Sequence, residues 1–315
     1  MPSASPEQFG SEVARTGQRW HRWRLAGAIM GLVLLGAAIG LVVSHAEDAQ
    51  RAWNALEQPE PAIIAALLFL TLLLVPVSAA AQSLMLRRTS GVSVSMGEMS
   101  ALVSLATLLN MLPMWPGAIG RIGYHKVVHG IPPIQAGLAV VAIRLIGLFM
   151  GGVLLAAVWI WPTAAMGAWL AILFGLLIVT IWPAFRLAGG VVIVKWVDLL
   201  LIAARYAAAF ALLGVELDTS AAGAMSGTSE VASSVPFVGG GPGLREWSIG
   251  WMTEQISHLP DALVVGVMAD LLVRIATLLV MLPLGFAAFR WLSRRLQSSA
   301  GSIPRSRTLK SESKA

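Results

Sequence analysis

Charged side chains recur inside long apolar runs of this chain, and most of them are cations. Arg144, Lys195, Asp198, Arg205, Asp270 and Arg274 each interrupt a stretch that is otherwise aliphatic. Arg121, Lys126 and the pair Arg245-Glu246 follow Pro/Gly-rich breaks. A charge in a hydrocarbon layer costs about 2.5–3.5 kcal/mol on insertion scales, so each is a functional suspect with a partner or ligand to find. Arg donates bidentate hydrogen bonds to phosphate. A helix N-terminus after a glycine turn adds N–H donors and a positive dipole end. Together these groups suit an anionic headgroup, with Arg121, Arg144, Arg205, Arg245, Glu246 and Arg274 as the candidate binding residues. Asp270 and Arg274 stand four apart, and Asp198 and Arg205 seven apart, so each set shares one helix face and reads as an intramembrane pair. A purely structural ion pair would explain Asp270 and Arg274 equally well. Lys195, near the inner end of its run, is expected to snorkel toward the interface.

Other chemistries fit less well. His125 and His129 have a zinc-compatible spacing, but no Glu follows the first His and no third ligand lies nearby, so no metal is expected. The chain has no cysteine, which excludes disulfides, thiolate metal sites and cysteine nucleophiles. No ATP-binding motif is present, and no cofactor is expected.

The elements that must position these charges are membrane helices. The chain is 57% hydrophobic and 12% charged, with a mean hydropathy of +0.77. Soluble domains carry about 25% charged residues. The net charge of +6 gathers at the ends and in short loops, where it suits cytoplasmic anionic headgroups and not nucleic acid. Full spans are expected at about residues 25–44, 62–86, 134–160, 164–184, 190–213 and 262–289. An uncleaved first span fits residues 25–44 better than a signal peptide. Arg and Lys flanks place both termini inside, for a multi-pass protein of the bacterial inner membrane. Residues 1–24 form a basic cytoplasmic segment, 25–290 the membrane domain, and 291–315 a basic tail expected to be disordered.

Two stretches break the spans, residues 109–126 (LNMLPMWPGAIGRIGYHK) and 233–247 (SSVPFVGGGPGLREW). Unpaired backbone is tolerated at membrane depth only inside protein or along a wet cavity. Each stretch follows a short, small-residue run and reads as a re-entrant hairpin. The first turns at Pro116, Gly117 and Gly120, the second at Pro236, Gly240, Gly241 and Gly243. The glycines could admit a phosphate closely or could serve tight helix packing. Flanking charges bring the first hairpin in from the cytoplasm and the second from outside, as in an inverted repeat. The expected fold is thus an all-α polytopic membrane protein with about six full transmembrane helices and two opposed re-entrant hairpins.

At these residues the chain resembles the lysylphosphatidylglycerol synthase transmembrane-region family, a flippase-like domain also found as stand-alone proteins. The family's first motif runs Asn, a gap, Leu-Pro-Gly, Gly, an acidic residue and Arg. Asn110, Pro116, Gly117 and Gly120 match it, while Arg121 takes the acidic position and Tyr124 that of the Arg. The second motif is matched by Ser234, Pro236, Gly240, Gly241, Gly243, Arg245 and Glu246, with Pro242 a departure. Arg144 resembles the Arg of the helix after the first motif, with Ile143 and Gly147 in place of its acidic neighbours, and Arg274 the Arg of the last span. The likeness runs from about residue 25 to 290. It implies a lipid-translocating domain handling anionic, aminoacylated, glycosylated or hopanoid-type lipids, without the soluble aminoacyltransferase half. A lipid-synthesising enzyme is an implied partner. Two alternatives stay open. A polyprenyl-pyrophosphate phosphatase also uses opposed hairpins and a Pro-Gly loop, but its serines are missing from Pro116–Arg121 and no paired glutamates lie on a span. A non-transporting membrane partner of a synthase would need no intramembrane cations.

Overall fold

A computed structural model describes residues 59–111, 116–160, 186–234, 243–257 and 261–301, with five isolated positions between 33 and 43. Among the described residues there are eight helices and no strand. In chain order they are α1 (Pro61–Ser90), α2 (Met96–Leu109), α3 (Pro116–His129), α4 (Pro133–Ile160), α5 (Arg186–Leu212), α6 (Thr219–Ser234), α7 (Leu244–Ile256) and α8 (Ala262–Gly301). The expected spans at 25–44 and 164–184, and the turn residues Pro236, Gly240 and Gly241, lie outside the described residues.

Three helices, α1, α4 and α8, are long and apolar enough to cross a membrane. They carry exposed Phe69, Leu138, Phe149, Leu279 and Phe286 on their outer surfaces. Such side chains need no protein partner when lipid tails surround them. The 27 residues of α5 reach about 40 Å, also enough to cross, but Lys195, Asp198 and Arg205 sit along it. Proline is present within α1 at Pro76 and within α8 at Pro283. The final helix runs to Gly301, so residues 291–301 are helical where a disordered tail was expected. Its extension is tied down by Arg295, whose Nη1 donates to Glu98 at 2.7 Å.

The helices form two units of one plan: long, short, short, long. In the first unit α1 packs on α2, α2 on α3, α3 on α4, and α1 on α4; in the second α5 packs on α6, α6 on α7, α7 on α8, and α5 on α8. The units also interlock in matched fashion, α2 against α8 and α6 against α4, with α1 against α5 as the largest contact. The short helices have 13 to 16 residues. At 1.5 Å per residue that is about 20–24 Å, short of the roughly 30 Å hydrocarbon layer.

Small residues make the close crossings. A Cβ on Gly227 of α6 would come to 2.8 Å from the Gly151 carbonyl oxygen of α4, and one on Gly250 of α7 to 2.8 Å from the Leu263 carbonyl oxygen of α8. A Cβ on Gly117 would run into the Ala106 backbone. In lipid, where apolar burial alone gives little drive, such contact and its dispersion energy hold helices together. Among the described residues three apolar clusters result, the smallest being Met150, Leu154, Trp196 and Leu199 between α4 and α5. Of the larger two, one gathers Tyr206, Phe210, Met225, Ile249 and Met268 of the second unit; the other gathers Met99, Leu102, Tyr124, Val191 and Leu292 around the first.

Candidate functional site

At each break a side chain holds the backbone N–H at the start of the following helix. Asn110, at the end of α2, accepts a hydrogen bond from the Gly117 N–H at 3.0 Å. That N–H is one of the four orphan donors at the start of α3. In the second unit Gly243 has φ of +112°, a conformation that excludes ordinary side chains, and its N–H donates to Glu246 Oε2 at 2.7 Å. α2 begins at Ser95, whose hydroxyl accepts from the Glu98 N–H. α6 begins after Asp218, which accepts from the Ala221 N–H at 2.7 Å. The capped short helices then bring their polar faces to the middle of the fold.

There residues of all eight described helices line a cavity of about 240 Å³. Five cations border it, Arg121, Arg144, Lys195, Arg205 and Arg245, against two carboxylates, Asp198 and Glu230. Ser78, Gln82, Asn110, His125, Tyr206, Ser229, Ser233 and Thr277 supply neutral polar groups to its wall. Arg121 and Arg205 are 8% and 7% exposed, and the Nε of each has no hydrogen-bond partner. Arg205 donates its Nη2 to Val273 O at 3.1 Å and to Thr277 Oγ1 at 2.6 Å. His125, on the short α3 outside the spanning helices, is buried with its Nδ1 unpartnered. Burial first, then His129 and Arg121, lowers its pKa to about 4, so it is neutral at physiological pH.

The expected binding residues divide. Arg121, Arg144, Arg205 and Arg245 meet at the cavity. Glu246 and Arg274 sit behind it, as an ion pair with Arg274 Nη2 2.8 Å from Glu246 Oε1. That pair supports the turn, since the other oxygen of Glu246 holds the Gly243 N–H. The expected partners are replaced: Asp270 is met by residues of two other helices, and Asp198 by Ser78 of α1 and by Lys195 of its own helix. Asp270 accepts from Tyr206 Oη at 2.6 Å and from Arg245 Nε at 3.0 Å. Asp198 accepts from Ser78 Oγ at 2.9 Å and from Lys195 Nζ at 2.7 Å.

Lys195 does not snorkel. It is 7% exposed, and its Nζ lies 2.7 Å from Asp198 Oδ2 and 2.9 Å from Glu230 Oε1. Glu230 fits because Gly147 leaves room: a Cβ there would overlap the Glu230 carboxylate. Glu98 is the other buried acid outside the expected set. It accepts from Tyr124 Oη at 2.7 Å, lies 3.0 Å from His129 Nε2, and binds Arg295. The rule that buried charge needs a partner applies to short arms as well as full spans. Applied to the arms, it picks out both Glu98 and Glu230.

Among the described residues no group of His, Cys, Asp or Glu is arranged to hold a metal. Comparison with protein-family models, with curated proteins and with solved structures finds no match for this chain.

Proposed function

We propose that the cavity binds the phosphate-bearing headgroup of a lipid and that the protein moves this lipid between leaflets of the bacterial inner membrane. One observation carries the reading. Two buried guanidinium groups, Arg121 and Arg205, keep an unpartnered Nε beside a cavity where cations outnumber carboxylates five to two. A buried donor without an acceptor costs about 1–3 kcal/mol, more when charged. An entering phosphate oxygen removes that cost and gains charge-assisted bonds. The acyl chains stay in lipid while the headgroup crosses a polar interior.

The two-unit plan supports the route. In this reading each pair of short helices is a re-entrant hairpin, the two enter from opposite faces, and six full spans carry both termini on the cytoplasmic side. Irregular backbone beside a cavity is what transporter midplanes use. This is also the arrangement implied by the resemblance to the lysylphosphatidylglycerol synthase transmembrane-region family, with a lipid-synthesising enzyme as the natural supplier of substrate.

The test is reconstitution into liposomes carrying headgroup-labelled phosphatidylglycerol, with leaflet exchange followed by dithionite quenching. Wild type is expected to speed exchange, and Arg121→Ala and Arg205→Ala to lose most of that rate. Equal exchange by both variants and wild type would overturn the site. Release of inorganic phosphate from a polyprenyl pyrophosphate would replace transport with phosphatase chemistry.

A further inference from the structure

The cavity holds a second group of charges that headgroup binding does not use. Lys195, Asp198 and Glu230 form a buried triad, each 5–7% exposed, on α5 and α6. One ammonium serves two carboxylates. Asp198 is well supported, by Lys195 on one oxygen and Ser78 on the other. Glu230 shares the same ammonium, its Oε1 lying 2.9 Å from Lys195 Nζ. Its carboxylate lies against Gly147, and the Ser234 hydroxyl bonds the Glu230 main-chain oxygen and not the side chain. The triad thus sets one ammonium against two carboxylates, inside the wall of the anion cavity.

We propose that Asp198 and Glu230 form a proton-exchange site, and that the cavity takes up its anion together with one proton from solution. The inference rests on the anion-binding reading of the cavity. Its logic is electrostatic. An anion drawn to Arg121, Arg144 and Arg205 brings negative charge toward two buried carboxylates and competes with them for Lys195. One of the two then takes a proton from solution. The proton adds to a carboxylate oxygen, and no other bond is made or broken. Linkage makes the effect reciprocal, so protonation tightens anion binding by the same factor. The other titratable groups at the wall are His125, Tyr206 and Arg245, the last two bound to Asp270. Transport would then be driven by a proton gradient, as symport.

The test uses the full chain in detergent with dihexanoylphosphatidylglycerol, a soluble phosphodiester whose own charge is constant above acidic pH. Calorimetry in two buffers of different ionisation enthalpy counts protons. About one proton taken up per ligand is expected, and affinity should tighten at least tenfold between about pH 7.5 and about pH 5.5, one proton allowing at most tenfold per unit. Glu230→Gln and Asp198→Asn should each flatten that ratio, while His125→Gln should keep it. No proton uptake in wild type overturns the proposal and leaves headgroup binding standing; if a variant fails to bind, this wild-type count decides alone. A ratio lost in His125→Gln but kept in Glu230→Gln and Asp198→Asn overturns it too, as does affinity that follows sodium and not pH. No binding of the probe at any pH overturns the headgroup reading and this inference with it.

Discussion

At the residue scale the fold turns on how each buried charge is answered. Asp270 is fully buried and its two oxygens are taken by Tyr206 and Arg245. Removing one donor leaves the acid short of a partner, and removing the acid leaves Arg245 without its counter-charge. Tyr206→Phe should therefore lower stability by about 1–2 kcal/mol. Asp270→Ala should cost more, about 2–4 kcal/mol, because it strands a partly buried cation and leaves the buried Tyr206 hydroxyl without its acceptor. Thermal unfolding in detergent measures both, and a larger loss for Tyr206→Phe would contradict this order. Arg121 and Arg205 behave in the opposite way, since their unpartnered Nε atoms await a ligand. Replacing either by Ala should weaken binding of a phosphodiester headgroup about 10- to 100-fold, the worth of a charged hydrogen bond of roughly 1.5–3 kcal/mol. Titration with dihexanoylphosphatidylglycerol reads that loss. A stability gain alongside the affinity loss would fit a site strained for function.

At the element scale, glycines decide how closely the short helices approach. Gly117 crosses α2 at Ala106, with no space for a Cβ, and the Asn110 side chain fixes the same corner. Gly243 sits at φ +112° at the start of α7. Gly243→Ala should cost about 1–2 kcal/mol from backbone strain alone. Gly147→Ala should act differently, by displacing the Glu230 carboxylate from Lys195. Its melting temperature should fall, and its proton uptake on ligand binding should fall with it. Gly243→Ala, remote from Glu230, should lower stability and keep the proton count. Measuring unfolding and calorimetric proton uptake on both variants separates the two effects.

At the scale of the whole molecule the matched packing of two long-short-short-long units is the organising feature. In an inverted arrangement the loop between α1 and α2 and the loop between α5 and α6 face opposite sides of the membrane. The chain has no cysteine, so single reporters can be introduced at will. Ser93 and Glu216 are both exposed in those loops. On intact cells Ser93→Cys should resist a membrane-impermeant maleimide and Glu216→Cys should react with it. Labelling of both, or of neither, would rule out opposed entry of the two units.

Much of this was legible in the residues. Composition alone marks a helical membrane protein, because so apolar a chain has too few charges for a watery surface. A break before α3 was legible, but Pro116, Gly117 and Gly120, expected as the turn itself, are helical residues at the start of α3, where a proline costs no backbone hydrogen bond; Gly243, with its positive φ, does take the expected turn conformation. Arg121, Arg144, Arg205 and Arg245 were visible as costly charges, and the fold brings them to one cavity. What the sequence could not say is which charge answers which. Spacing of four or seven suggests Arg274 and Arg205 as partners, yet Asp270 turns to Arg245 and Tyr206 on other helices, and Asp198 to Ser78 of α1 and to Lys195, three residues away on its own helix. Partners in a packed interior are set by which helix faces close together, a property of residues far apart in the chain. Only the tertiary structure could therefore turn Lys195 from an interfacial lysine into the centre of a buried triad, and only it could bring Glu230, on a short helix of small residues, to the wall of the cavity.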